Sequence, residues 1–393
     1  MSKTDIFFGG ETMLIVKKFG GTSVANKERI FNVAGRCIEE YKKGNDVVVV
    51  LSAMGKYTDE LITMAKDINE KPPKREMDML FTIGEQMPVA LMSMAFDKLG
   101  VPSVSLNAFQ VAMHTTSVHG NARLKRIDTE RIKRELENHK IVVVTGFQGV
   151  NKYDDYTTLG RGGSDTSAVA LAAALEADLC QIYTDVDGVY TADPRHVKGA
   201  RKLDEVTYNE MLELATLGAQ VLHNRSVELA KKYNVKLEVL SSFTGHPGTK
   251  VKGVAKRMEK TAVSSVAKDK DIARIALVGV PNEVGTSFKV FSLLAQNHIN
   301  VDIILQGIGH EEGKDICFTV AEGDLKKAAE LLESHKAELR FARLETNADI
   351  AKVSVVGSGM INNPGVAAKL FEALYDAHIN INMISTRSRF LFW

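Results

Sequence analysis

To about residue 250 the chain alternates short, continuous apolar runs with longer stretches of helical periodicity. The runs are Leu14–Val16, Val47–Leu51, Ile141–Thr145, Gln181–Thr184 and Lys236–Leu240. Runs of this length without polar alternation predict strands covered on both faces, as in a parallel sheet. Between them, Asn26–Lys43, Asp78–Leu99 and Thr166–Ala177 predict helices. The second is rich in methionine, a flexible filler of irregular cores, and the third is so rich in alanine and leucine that only a helix suits it. The alternation is that of an α/β domain. Thr249–Lys260 is basic and weakly patterned, which places a domain boundary there.

Beyond that boundary the chain repeats itself. Val278–Ile304 matches Val356–Ile384: Gly285, Phe291, Leu294, His298, Asn300 and Ile304 recur at a constant offset of 80 as Gly365, Phe371, Leu374, His378, Asn380 and Ile384. Each copy reads strand, tight loop, amphipathic helix, strand, a βαβ unit that cannot stand alone. The Gly357–Gly359 segment lacks the third glycine of a dinucleotide loop and is not read as one. His298 and His378 fall at helix ends and read as caps rather than ligands.

Three polar segments carry candidate chemistry. Leu14–Val16 runs into Lys17-Lys18-Phe19-Gly20-Gly21-Thr22-Ser23, where a lysine charge meets two glycines that let a backbone turn sharply or approach a ligand. This is the build of a phosphate site, although no Walker loop occurs and a plain strand-to-helix turn beside a solvated lysine fits equally well. The second segment, Thr158–Asp165, ends at a helix N-terminus, where unpaired N–H groups favour an anion. Arg161 adds a fork suited to carboxylate or phosphate, and a mere cap needs neither it nor three glycines. Third, Asp185–Arg195 is an acidic, turn-rich loop after a strand, suited to a nucleotide with its Mg²⁺; a solvated loop with D-G and D-P turns explains it as well.

Composition narrows the class. With 393 residues, 45% hydrophobic and 25% charged, the chain is long enough for more than one domain. A net charge of +1 gives no reason to expect nucleic acid or an anionic membrane as partner. Cys37, Cys180 and Cys317 are far apart, without C-x-x-C spacing, and read as reduced core residues. No apolar run is expected to reach the roughly 20 residues of a membrane span. Residues before Met13 read as an extension or misassigned start.

Together these segments resemble the aspartate kinases, in the amino acid kinase family that also includes carbamate, acetylglutamate and uridylate kinases. The resemblance rests on KFGGTSV (Lys18–Val24), VLSAMGKYTDELI (Val50–Ile62), IGEQ (Ile83–Gln86), TGFQG (Thr145–Gly149), GRGGSD (Gly160–Asp165), TDVDGVYTADPR (Thr184–Arg195) and LATLGAQVLHNRSVELA (Leu214–Ala230), and extends from about Met13 to Ser385. It implies a three-layer α/β sandwich with a mostly parallel central sheet over residues 13–255. Ferredoxin-like α+β ACT modules, which bind free amino acids, are implied over 262–345 and, incompletely, over 346–393.

The implied reaction is transfer of phosphate from ATP, with Mg²⁺, to the β-carboxylate of L-aspartate, the first step of lysine, threonine and methionine biosynthesis. In that reading Lys18 stabilises the transferred charge, Gly20 and Gly21 cradle phosphates, and Asp165 organises Lys18 and Mg²⁺. Glu85 takes the substrate ammonium and Arg161 a carboxylate, with Ser52, Thr58, Gly162, Gly163 and Ser164 completing the aspartate pocket. The nucleotide side is Phe19, Thr184, Asp185, Tyr190, Thr191, Ala192, Asp193, Pro194, Arg195 and Gln220. The resemblance further implies a cytoplasmic homodimer or higher homo-oligomer joined through ACT modules. Its feedback amino acid, lysine or threonine, would bind near Val284, Gly285, Asp302, Gln306, Asn363 and Asn380. No metal-ligating side chains are assigned.

The chain departs from the family in three places. Gln220 and His223-Asn224 stand where many relatives have a lysine before V-L-H-P, so one nucleotide contact is expected to be weaker or made by Lys250 or Lys252. Tyr57 stands where a second threonine is common. After Ile384 the second copy has only Ser385–Trp393, which resembles a shifted frame or truncation. That ending predicts a second sheet short of strands and of a covering helix, with at most Val263–Ala267 as a substitute strand, weak feedback control and a tendency to aggregate. Two rival readings remain: a kinase of glutamate or acetylglutamate, and a non-catalytic amino-acid sensor.

Overall fold

The computed structural model describes residues 12–219, 221–253, 263–307, 313–357, 365–387 and 390–392. These divide into two compact units, one of 12–216 and 221–253, the other of 217–219 and the residues from 263 onward.

In chain order the first unit contains β1 (Leu14–Phe19), α1 (Lys27–Lys42), β2 (Asp46–Leu51), α2 (Tyr57–Ile68), α3 (Lys74–Lys98), β3 (Ser103–Leu106), β4 (His114–Thr115), β5 (Leu124–Arg126), α4 (Glu130–Glu137), β6 (Ile141–Thr145), β7 (Gln148–Val150), β8 (Tyr156–Thr158), α5 (Gly163–Ala174), β9 (Leu179–Thr184), β10 (Glu205–Thr207), α6 (Tyr208–Thr216), α7 (Asn224–Tyr233), β11 (Leu237–Ser241) and β12 (Thr249–Lys252). Eight strands form one sheet in the order β10-β12-β11-β9-β1-β2-β6-β3, parallel except for β11 against β12. A small sheet, β5-β4-β7-β8, stands beside it.

The central strands are apolar on both faces because both are covered. Val47, Val49 and Leu51 of β2 join a core with Ile30, Val33 and Cys37 of α1 and Met92 and Phe96 of α3, while Val48 and Val50 point the other way and are equally buried. The same alternation separates Lys17 from Lys18. Lys17 shares the α1 side with Phe19; it is 2% exposed, donates to the Arg36 carbonyl at 3.1 Å and lies 5.6 Å from the Tyr183 ring centroid. Burial lowers its pKa.

Four expectations are corrected here. Thr249–Lys252 is not weakly structured but the strand β12, paired through both neighbours; residues 254–262 lie outside the described ones. The second glycine loop is shorter than expected, because α5 begins at Gly163 and Asp165 sits in its first turn. By length and composition α3 is long and apolar enough to cross a membrane, contrary to the sequence reading. It carries the buried polar groups Asp78, Thr82 and Glu85 and packs into the unit's core through Met92 and Phe96, as a central helix does. Cys37 and Cys180 are core residues, whereas Cys317 is only half-buried.

The second unit contains β13 (Ser265–Asp269), β14 (Ala273–Val280), α8 (Thr286–Gln296), β15 (Ile304–Gln306), β16 (Lys314–Val320), α9 (Leu325–Ser334), α10 (Lys336–Leu339), β17 (Arg343–Asn347), β18 (Lys352–Val356), α11 (Val366–Asp376), β19 (Ser385–Arg387) and β20 (Phe390–Phe392). Two four-stranded sheets result, β15-β16-β14-β17 and β13-β18-β20-β19. The repeat is visible in the backbone: Gly285 and Gly365 precede α8 and α11 at φ 89° and 93°, and His298 and His378 follow them at φ 57° and 54°. Each helix end is thus closed by a left-handed residue, usually glycine or asparagine but here histidine.

The second sheet is not short of strands. Ser265–Asp269 pairs antiparallel with β18, as the Val263–Ala267 substitute implied, and Phe390–Phe392 inserts between β18 and β19. Each partner of β20 runs antiparallel to it, so the hairpin with β19 extends the sheet. In the first copy the short helix α10 precedes β17.

Candidate active site

Both glycine loops and the strand ends between them meet at one end of the large sheet. β1 ends at Phe19, and Lys18 points from it toward α5, where its Nζ lies 2.6 Å from Asp165 Oδ1; both side chains are 12% exposed. A Cβ on Gly20 would stand 3.6 Å from that Nζ, so the ammonium hangs over the glycine turn. At Gly21 a Cβ would meet the Ala53 carbonyl oxygen at 2.3 Å, and the Gly55 N–H donates to the Gly21 carbonyl at 3.0 Å. Only glycine lets the first loop lock against residues 52–55.

The second loop is seated as tightly. Ser164 packs on Gly146, where a Cβ would come within 2.6 Å of the serine Cβ, and Gly163 packs on Phe147, itself at φ 65° and anchored by the Ser167 hydroxyl, which accepts its N–H at 3.0 Å. Gly162 is left-handed at φ 65°, and a Cβ there would strike the His223 ring. Burial holds the His223 pKa down, opposed by the Asp165 charge.

Glu85 enters from α3. Gly84 beside it lets the helix approach Ala53, Tyr57 and Leu61. The carboxyl is buried, receives a backbone hydrogen bond from Ala53, and has Oε2 without any hydrogen-bond partner. Burial pushes its pKa up to about 8, against the pull of the Ala53 bond and the Lys18 charge. The carboxyl is thus buried and half-satisfied close to the loop that bears the Lys18 ammonium. Ser52 follows β2, its N–H donating to the Phe19 carbonyl at 3.2 Å, and Thr58 lies in the first turn of α2. Arg161 is exposed at the loop tip.

In the loop expected to face a nucleotide, several groups engage one another. Thr184 donates to Asp185 at 3.0 Å, Tyr190 to Asp187 at 2.7 Å, and the Thr191 hydroxyl accepts the Arg201 N–H at 3.0 Å. Arg195 is 74% exposed and pairs with Asp193 at 2.9 Å, holding that carboxyl at about 2. Ala192 and Pro194 complete the same loop. The Phe19 side chain is fully buried and stacked 4.4 Å from Tyr183, leaving its backbone for the loop. Gln220 lies outside the described residues. Of its suggested substitutes, Lys252 is tied to Glu205 at 2.6 Å and Lys250 is exposed.

The expected effector residues are spread across the second unit. Val284 and Gly285 adjoin the start of α8, whose Ser287 donates to Gln306 at 3.0 Å; Asp302 pairs with Lys352 at 2.6 Å. Asn380 lines a mostly apolar cavity of about 340 Å³ together with Lys352, Arg274 and Met383. Asn363 lies outside the described residues.

Unforeseen from sequence were the residues behind the second loop. Asp78, fully buried, accepts hydrogen bonds from His119 Nδ1 at 2.8 Å, from the Gly120 N–H at 3.0 Å and from the Thr158 hydroxyl. Its spacing of seven from Glu85, on one face of α3, was the available signal. Arg225 was inside a quoted motif but had no role.

Comparison with known proteins agrees with this layout. The profile of the amino acid kinase family matches residues 13–241, and ACT domain profiles match 274–340 and 353–389. The aspartokinase of Bacillus sp. (strain MGA3) is 52% identical over 373 residues, 95% of this chain and 91% of that protein. The chain belongs to the aspartokinases. Another member, from Geobacillus stearothermophilus, is 51% identical over 95% of this chain and 90% of its own length. Among solved structures, E. coli aspartokinase III in complex with aspartate and ADP superposes with a TM-score of 0.83 at 26% identity, covering 96% of this chain and 95% of that one. Its complex with lysine and aspartate gives 0.74 at the same identity and coverage. The aspartate kinase from Synechocystis, 44% identical with a TM-score of 0.58, is longer: the match covers 96% of this chain and 66% of that one.

Proposed function

We propose that this chain transfers the γ-phosphoryl group of ATP to the β-carboxylate of L-aspartate, giving ADP and 4-phospho-L-aspartate. The observation that carries the reading is the Lys18–Asp165 pair at 2.6 Å over the Gly20-Gly21 turn, with the buried, half-satisfied Glu85 beside it. Support comes from the E. coli relative of the same fold, which binds aspartate and ADP.

Phosphoryl transfer has a loose transition state, so positioning and positive charge supply most of the catalysis. Lys18 faces the oxygens that gain charge, and Asp165 holds its ammonium in place. The β-carboxylate of aspartate is already ionised at neutral pH and attacks without a general base. Glu85 takes the ammonium, Arg161 a carboxylate, and Ser52, Thr58 and the Gly162–Ser164 backbone close the pocket. Residues 184–195 flank the nucleotide. A Mg²⁺ bound with the nucleotide would be carried mainly by phosphate oxygens and water, with Asp165 nearby. When bound, that ion neutralises charge on the β- and γ-phosphates.

Residues 13–255 form the catalytic domain in this reading, and 262–345 and 346–393 two ACT modules that mediate homo-oligomerisation in the cytoplasm and take lysine or threonine as feedback ligand. The E. coli complex with lysine supports the first of these ligands. ATP-dependent acyl-hydroxamate formation, measured across aspartate, glutamate and acetylglutamate, tests the activity. Preference for either of the other two, or no product at all, overturns it.

A further inference from the structure

The GRGGSD loop does not stand free; it rests on a strap of residues 119–122 clamped from both sides. From α3, Asp78 binds His119, Gly120 and Thr158, as described above. From the first turn of α7, the half-buried Arg225 guanidinium donates through one nitrogen to the Leu159 carbonyl and to Asn121 Oδ1 at 3.3 Å, and through the other to the Ala122 carbonyl at 2.9 Å. Strap and loop also touch directly: the Ala122 N–H donates to the Thr158 carbonyl at 2.8 Å, and a Cβ on Gly160, at φ 80°, would stand 3.2 Å from the Gly120 oxygen. One arginine therefore bridges three backbone or side-chain acceptors on two segments, just before the residue that turns the chain into Arg161.

We propose that Arg225 is a positioning residue for the amino-acid pocket, fixing the Gly160–Gly162 turn, and through it Arg161, relative to Glu85 on the helix that anchors the other side of the strap. The inference deepens the functional reading above and rests on it. Asp165 is held separately by Lys18 and by its place in α5, so the loop can shift without dismantling the charge that serves phosphate. Lysine replaces the fork only in part, because one ammonium does not reach all three acceptors spread across a planar guanidinium.

The test is initial-rate kinetics of Arg225→Ala and Arg225→Lys with each substrate varied separately. In the alanine variant the aspartate KM rises about tenfold, as loss of a charge-assisted hydrogen-bond set gives, while the ATP KM and kcat stay within about threefold. Arg225→Lys recovers part of the loss, and sub-denaturing guanidinium restores the alanine variant toward wild type by refilling the vacated space. An unchanged aspartate KM, an equal rise in both KM values, or no response to guanidinium overturns the proposal. Should Arg225→Ala not fold, Asn121→Ala removes one acceptor without touching α7; its aspartate KM rises severalfold, and an unaltered value overturns the proposal. A wild-type protein that makes no phosphoaspartate overturns the functional reading and this inference together, whereas an active wild type with unaltered variants overturns the inference alone.

Discussion

The two copies of the repeat in the second unit carry the same local instructions and end in different environments. Their glycine and histidine caps agree within a few degrees of φ. Yet α8 seals Val290 and Leu294 completely into a core with Phe318, Ala328 and Leu332, while the equivalent Leu370 and Leu374 of α11 are only half-buried and α11 fully buries nothing. The difference is α9, which covers the first sheet; among the described residues the second sheet has no counterpart. Backbone form follows from caps and short-range pattern, whereas burial depends on what another segment brings. Lys17 and Lys18 teach the same lesson one residue apart: identical side chains, opposite faces of β1, one in the core and one paired with Asp165.

The copies should separate most under truncation. Leu294→Ala is expected to destabilise the second unit by about 2–5 kcal/mol and Leu374→Ala by under about 1 kcal/mol, since only the first leaves a cavity in a sealed core. Denaturant unfolding monitored on the full chain checks this, and equal costs would show that α11 is as well packed as α8.

The lysine pair should split by activity instead. Lys18→Met and Asp165→Asn each lower kcat by about 100-fold or more with the fold intact, as removal of a preorganised charge stabiliser does. Lys17→Met keeps kcat near wild type, because an apolar chain of similar length suits its site and a buried charge is often dispensable when replaced whole. A Lys17 variant as impaired as the Lys18 one would erase the distinction between the two faces.

Glu85 gives a smaller, pH-dependent effect. Its folded pKa of about 8 lies above the ordinary carboxyl value, so the unliganded protein binds more protons than the unfolded chain and loses stability as pH rises from about 4.5 to 8. An ammonium needs the ionised form, so the aspartate KM falls as pH rises from about 6.5 to 8.5. Glu85→Gln flattens that slope and raises the aspartate KM while sparing ATP. KM profiles in constant ionic strength decide; a slope that persists in the variant assigns it elsewhere.

The smallest effect should be shared. Gly285→Ala and Gly365→Ala each cost about 1 kcal/mol through the positive φ alone, since nothing lies within 4 Å of either added Cβ. Thermal shifts that differ markedly between the two would mean that the caps are not equivalent after all.

Much of this protein was legible in one dimension. Continuous apolar runs announced the parallel strands, the offset of 80 announced the repeat, and a lysine before two glycines, with a second glycine loop opening a helix, marked the end of the sheet where both loops meet. Those signals are local: they depend on propensity, turn chemistry and periodicity, which act over a few residues. Long-range contact decided the rest. It buried the Phe19 side chain in the core, left one oxygen of Glu85 without a partner, inserted Phe390–Phe392 as a strand, and brought Asp78 and Arg225, 147 positions apart, to opposite sides of one strap. No sequence window spans such pairs; desolvation and hydrogen-bond satisfaction are set by the whole packed unit.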